Sequence, residues 1–169
     1  GWARKGYIRI NGVTEELRPE MAGTYQAVEV MNPVSDEVEL YLNMEVRHTV
    51  AHTMVEENTN QAALERGPLV YCCETPDTAS ETLDDLLLDL SAEFTEEEIE
   101  IAGRKVRALS AEEYCFIRSD YDRNALYQTI RSVKMRRERV RFIPYYAWDN
   151  REYGEMRIWF PIACHARKE

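Results

Sequence analysis

The chain has 169 residues, 44% of them apolar and 31% charged, enough to build one large or two small packed units and too apolar for a disordered polypeptide. A formal charge of −10 argues against general nucleic-acid binding, which needs Lys and Arg to neutralise phosphates. No stretch approaches the ~18 consecutive apolar residues of a membrane helix, so no membrane partner is expected.

In chain order, the segment Gly1-Trp2-Ala3-Arg4-Lys5-Gly6 has neither an initiator Met nor the apolar run of a signal peptide. It reads as the start of a fragment or a processed product. Tyr7-Ile8-Arg9-Ile10 alternates with a period of two and runs into Asn11-Gly12, the strongest short hairpin signal. Residues 23–30 are expected to form a half-buried strand, and residues 31–36, with Asn32-Pro33 and Ser35-Asp36, a turn. Val38, Leu40, Leu42 and Met44 alternate with Glu37, Glu39, Tyr41 and Asn43, a second clean strand pattern. Residues 46–55 extend it, with His48, Val50 and His52 on one face. Residues 62–73 read as a strand broken at Arg66-Gly67-Pro68, where proline implies a kink or an edge.

The pattern then breaks at Thr75-Pro76-Asp77, which places a module boundary between residues 74 and 80. Beyond it, residues 86–90 are expected as a strand, with a short helix over 81–90 as the alternative. Thr95-Glu96-Glu97-Glu98 has capping-box spacing and predicts a brief helical turn ended by Gly103. Residues 105–109, 113–117 and 133–143 read as strands, the last burying Val133, Met135, Val140 and Phe142. A final strand over 156–160 follows a turn over 150–154. The expected fold is all-β, with two β-sandwich-like modules over residues 1–74 and 75–169.

Charge is unevenly spread. Residues 74–100 hold eleven acidic side chains and no Lys or Arg, whereas residues 131–141 hold six basic side chains and one Glu. Such runs form solvated faces, or attract each other in the fold. The cysteines, Cys72, Cys73, Cys115 and Cys164, show no zinc spacing. Adjacent Cys72 and Cys73 would point to opposite faces of a strand, and free buried thiols favour a reducing, cytoplasmic compartment. His48 and His52, four apart on a strand, would sit ~13 Å apart, too far to share a metal. His165 is expected at the surface. No nucleophile turn or phosphate loop is present, and the acidic run at residues 96–100 reads as a solvated face.

Pro144-Tyr145-Tyr146-Ala147-Trp148-Asp149-Asn150-Arg151 gathers three aromatic and three polar side chains in eight residues. Tyr145, Tyr146 and Trp148 can stack on a sugar ring or fill an interface, and Asn150 and Arg151 can fix the turn that follows. These five residues are the candidates for substrate binding or domain contact.

The same segment, Ile143-Pro144-Tyr145-Tyr146-Ala147-Trp148-Asp149-Asn150-Arg151 with Gly154-Glu155-Met156 and Trp159, resembles the closing signature of glycoside hydrolase family 127, the β-L-arabinofuranosidase type. Gly1-Trp2-Ala3, Ile10-Asn11-Gly12, the strand ending at Met44-Glu45-Val46-Arg47, and Arg66-Gly67-Pro68-Leu69-Val70-Tyr71 resemble further family motifs in the same order. The resemblance implies a catalytic (α/α) barrel upstream as partner, followed by two β-sandwich modules, the first lacking its N-terminal strands here. It implies a zinc-bound cysteine nucleophile in that absent barrel, hence no catalytic residue, metal ligand or cofactor in this chain. Cys72-Cys73 follow a sandwich motif and are not equated with the family's zinc-site cysteines. The alternative function is an autonomous carbohydrate-binding module built on Tyr145, Tyr146 and Trp148, and the truncated sheet edge predicts a homo-oligomer. Glu29-Val30-Met31-Asn32-Pro33 and Asn43 depart from the family pattern.

Overall fold

The computed structural model describes residues 3, 5–80, 82–116, 121, 122, 124–129 and 133–163; Gly1-Trp2, most of the basic run's start, Cys164 and His165 lie outside them. The described residues contain β-strands and short 3-10 turns and no α-helix, so the chain is all-β, as its period-two patterning predicts. They divide into two compact units, Gly1–Val46 with Arg66–Pro68, and Arg47–Glu65 with Leu69–Glu169.

The first unit is a three-stranded antiparallel sheet in the order β2-β1-β3, formed by β1 (Gly6–Ile10), β2 (Val13–Glu16) and β3 (Val38–Leu42). Asn11 and Gly12 take positive φ values of 47° and 85°, the two left-handed positions that let a two-residue turn follow the strand twist. The register pairs Tyr7 with Tyr41 and Arg9 with Glu39. The tyrosine rings accordingly stack with centroids 5.1 Å apart, and Arg9 lies 2.7 Å from Glu39. Gly6, Ile8, Val38, Leu40 and Leu42 share the opposite face. The turn over 31–36 is held by Asp36, whose Oδ2 accepts from the N–H groups of Met31 and Asn32. Those bonds, with one from Asn11, hold its carboxyl below the ordinary range.

Residues 23–30 form no strand, contrary to the pattern. Both edges of β1 are already occupied, and Tyr25 stands fully in solvent. The segment instead crosses the apolar sheet face, where Leu17, Met21 and Val28 help line a cavity.

The second unit holds the rest of the strands: β4 (Val46–Val50), β5 (Gln61–Arg66), β6 (Leu69–Glu74), β7 (Leu86–Leu87), β8 (Thr95–Ile101), β9 (Arg104–Phe116), β10 (Met135–Pro144), β11 (Met156–Arg157) and β12 (Trp159–Pro161). They pair in the order β12-β5-β6-β10-β9-β7, with β4 on β5, β11 on β6 and β8 on β9. Arg66-Gly67-Pro68 is the tight turn of the β5–β6 hairpin rather than a kink, with Gly67 at φ 57°. β4 ends at Val50, so His52 falls beyond the strand that was expected to carry it.

Thr95-Glu96-Glu97-Glu98 is strand, not helix. Glu97, Ile99 and Ile101 turn inward while Glu96, Glu98 and Glu100 face solvent, and period two overrides the capping-box spacing. Cross-strand ion pairs, Glu98 with Lys105 at 2.6 Å and Glu96 with Arg107 at 3.1 Å, then spread the acidic run along β9. Thr75-Pro76-Asp77 breaks the period as a 3-10 turn within the second unit, so β6 and the strands after it belong to one body. Val133 and Met135 are not buried, whereas Val140 and Phe142 are.

The core of this unit is aromatic and aliphatic. Phe142 meets Phe160 edge-on at 5.5 Å and Phe94 at 6.0 Å, and Phe94 in turn packs on His48. Buried Tyr71 donates through its hydroxyl to the carbonyl of Arg107 at 3.1 Å, so its polar tip is satisfied inside the core. A second cluster, Cys72, Ile101, Val106, Ala108, Ile143 and Ala147, lies beneath the aromatic turn that follows β10.

Candidate functional site

β10 ends at Pro144, which has no N–H to donate, and the chain turns through Tyr145–Ala147 as a 3-10 helix. At three residues per turn, side chains three apart eclipse. Tyr145 and Trp148 therefore stack, with centroids 5.7 Å apart and planes 12° from parallel. Tyr146 points elsewhere and is 64% exposed. The three rings do not make one platform: two form a partly exposed stack, and the third stands alone.

The turn is fastened from below. Asn150 donates through Nδ2 to the carbonyls of Ala147 and Trp148, at 3.3 and 2.8 Å. Asp149 adopts a φ of 61°, a left-handed conformation that Asp tolerates better than most residues, and its N–H donates to Glu74 Oε1 at 3.1 Å. Arg151 donates through Nε to Glu74 Oε2 and through Nη1 to Asp77 Oδ1, both at 2.9 Å, and through Nη2 to both carboxylates. Hydrogen bonds and charge from Asp77 and Glu74 push the guanidinium's pKa further up, against the opposing effect of burial. Glu74 and Asp77 are both buried, and Arg141 approaches Asp77 within 3.9 Å. Two cations thus face two carboxylates whose lone pairs are engaged, an arrangement suited to holding a loop and unsuited to proton transfer.

Asn150 and Arg151 therefore hold the turn before them rather than the one expected after them, and Tyr145, Tyr146 and Trp148 are displayed by it. The acidic and basic runs do attract one another: Arg137 contacts Asp89 at 2.6 Å and Arg141 contacts Glu97 at 2.7 Å. The bond from Arg141, then that from Ser110, lowers the pKa of Glu97. His48 and His52 do not converge. His48 is half-buried against Phe94 with its pKa lowered by desolvation, and His52 Nδ1 accepts from the N–H of Met54.

Cys72 and Cys73 are adjacent on β6 and fully buried. Burial pushes the Cys72 thiol up to about 12 and that of Cys73 well above its ordinary value, the reverse of what a thiolate ligand needs. Among the described residues no three His, Cys, Asp or Glu side chains are grouped to hold a metal.

One polar group escaped the sequence reading. Glu113 is buried in β9; its Oε2 accepts from the N–H of Asp89 at 2.6 Å, and no described residue bonds its Oε1. Desolvation raises its pKa to about 8. Strand parity could have found it, because Leu109, Ala111, Glu113 and Cys115 share one face.

The model of the glycoside hydrolase family 127 C-terminal domain matches residues 46–161. A non-reducing end β-L-arabinofuranosidase of Bifidobacterium longum subsp. longum is 28% identical over 162 residues, 94% of this chain and 24% of that protein. A solved glycoside hydrolase superimposes with a TM-score of 0.83 at 34% identity, covering 96% of this chain and 26% of that one. A family 127 β-L-arabinofuranosidase from Geobacillus stearothermophilus T6 also gives 0.83, at 31% identity over 96% of this chain and 25% of its own. The chain thus spans about a quarter of the length of these relatives. It belongs to glycoside hydrolase family 127, whose C-terminal domain it carries.

Proposed function

We propose that this chain is a non-catalytic part of a β-L-arabinofuranosidase-type hydrolase and buttresses the (α/α) barrel in which hydrolysis takes place. The observation that carries this reading is the open apolar face of the first unit. Ile8, Val38, Leu40 and Leu42 line a cavity of about 560 Å³ together with Leu17 and Met21, and Leu40 remains 59% exposed. An antiparallel sheet commonly leaves one face to water, but that face is then polar. Here the polar face, with Tyr7, Arg9, Glu39 and Tyr41, is the other one. An apolar concavity of this size marks a contact surface. The relatives are about four times longer than this chain, which supplies a source for the covering surface.

A chimera tests the reading. In the Geobacillus stearothermophilus T6 relative, the matched C-terminal quarter would be replaced by this chain and compared with the same enzyme lacking that quarter. The expected result is a soluble chimera that hydrolyses a nitrophenyl β-L-arabinofuranoside, beside a truncated enzyme that aggregates or loses activity. A chimera no better than the truncated enzyme would contradict the buttressing role.

A further inference from the structure

Beside Tyr146 the second unit carries a small concavity of about 200 Å³ that neither the barrel-supporting role nor the Arg151 network explains. Its floor is apolar: Ile101, Val106 and Ala147 are all buried and belong to the cluster under the turn. Its rim is polar and projecting, formed by Tyr146, Asn150 and Arg104. Asn150 commits its amide nitrogen to Ala147 and Trp148, and no described residue donates to its amide oxygen. Exposed Arg104, the first residue of β9, makes no ion pair with a described residue. An apolar floor, one open aromatic ring and a rim that can both donate and accept suit a sugar residue, whose ring has an apolar face of C–H groups and an edge of hydroxyls. The volume lies below the ~300–1,000 Å³ of sites for drug-sized ligands, which points to one ring rather than an oligosaccharide.

The mounting supports the same reading. Tyr146 sits on a turn clamped by Asn150, Asp149 and Arg151, and the opposite wall is the β8–β9 hairpin, closed by Ala102 and Gly103 at φ values of 49° and 74°. Both walls are therefore set before a ligand arrives, which limits the ordering cost of binding. The stacked Tyr145–Trp148 pair does not line the concavity, so a platform made jointly by all three rings is replaced by a site centred on Tyr146.

We propose that the concavity bounded by Tyr146, Asn150 and Arg104 binds a single neutral sugar residue. The proposal rests on the glycoside-hydrolase reading only for the choice of sugar. It is tested on the 169-residue chain alone, so its failure leaves the chimera experiment untouched. Methyl β-L-arabinofuranoside would be titrated against the chain while saturation-transfer NMR and the tyrosine and arginine resonances are followed. The expected result is saturable binding with a dissociation constant on the order of 1 mM, as befits so small a ligand, with shifts at Tyr146 and Arg104. Tyr146→Ala should weaken binding at least ~10-fold, Tyr146→Phe should largely retain it by keeping the ring, and Tyr145→Ala should leave it unchanged. Circular dichroism would confirm that each variant is folded, and Arg104→Ala supplies an independent loss at the rim. No saturable binding, equal binding by the wild type and Tyr146→Ala, or shifts confined to Tyr145 and Trp148 would each overturn the proposal.

Discussion

Arg151 neutralises two carboxylates, Glu74 and Asp77, that the fold has removed from water. Breaking such a pair costs more than forming it gains, because the abandoned charges stay buried. Arg151→Ala should therefore destabilise the second unit by ~3–5 kcal/mol in urea unfolding, and Arg151→Lys should recover only part of this because it cannot fork across two carboxylates. Glu113 gives a pH signature. Its folded pKa of about 8 lies above the ~4.3 of an unfolded glutamate, so the folded state holds the proton more tightly. Its contribution to stability is fully present below the unfolded value, shrinks as pH rises, and is gone above about 8. The urea midpoint should fall between pH ~4 and ~8, and Glu113→Gln should flatten that fall. At this scale the sequence is partly legible: Asn150 and Arg151 are expected to fix the turn after them, whereas they hold the turn before them. The carboxylates that Arg151 holds are not legible, because they lie more than seventy residues upstream and only the folded sheet brings them together.

At the scale of elements, turn chemistry and period two were the readable signals. Asn11-Gly12 closes its hairpin as expected, and β3 runs where the alternation places it. The misreadings have one origin, since local patterns do not reveal partners. Residues 23–30 alternate but pair with no strand and pass over the apolar sheet face instead, and Thr95-Glu96-Glu97-Glu98 carries a helix signal overruled by pairing with β9. Thr75-Pro76-Asp77 resembles a boundary but is a turn tied back by Arg151. Two turn substitutions with opposite signs test this account. Gly67 lies at φ 57°, and an added Cβ would come within 2.9 Å of Met44 Sδ. Gly67→Ala should cost ~1–2 kcal/mol of stability. Ala102 occupies a left-handed position without the freedom of glycine, immediately before Gly103. Ala102→Asn should gain up to ~1 kcal/mol, because Asn-Gly is the preferred pair for such a turn. Thermal unfolding of the two variants would check both.

For the molecule as a whole, the first unit carries the liability. β2 is an edge strand with Glu15 and Glu16 to discourage pairing, whereas the other edge, β3, reads Val38-Glu39-Leu40-Tyr41-Leu42 and has no basic residue or proline to blunt it. With the apolar face only partly covered by residues 17–28 and Leu40 still exposed, the isolated chain should self-associate through this edge. Sedimentation velocity should show a weight-average coefficient that rises with concentration and falls back in Leu40→Lys; a monodisperse monomer at high concentration would contradict it. In the proposed role the chain supports hydrolysis without performing it. The most direct test of that role is the zinc content of the purified 169-residue chain, together with its activity on a nitrophenyl β-L-arabinofuranoside. Neither stoichiometric zinc nor turnover above background is expected; zinc-dependent hydrolysis by this chain alone would contradict the supporting role.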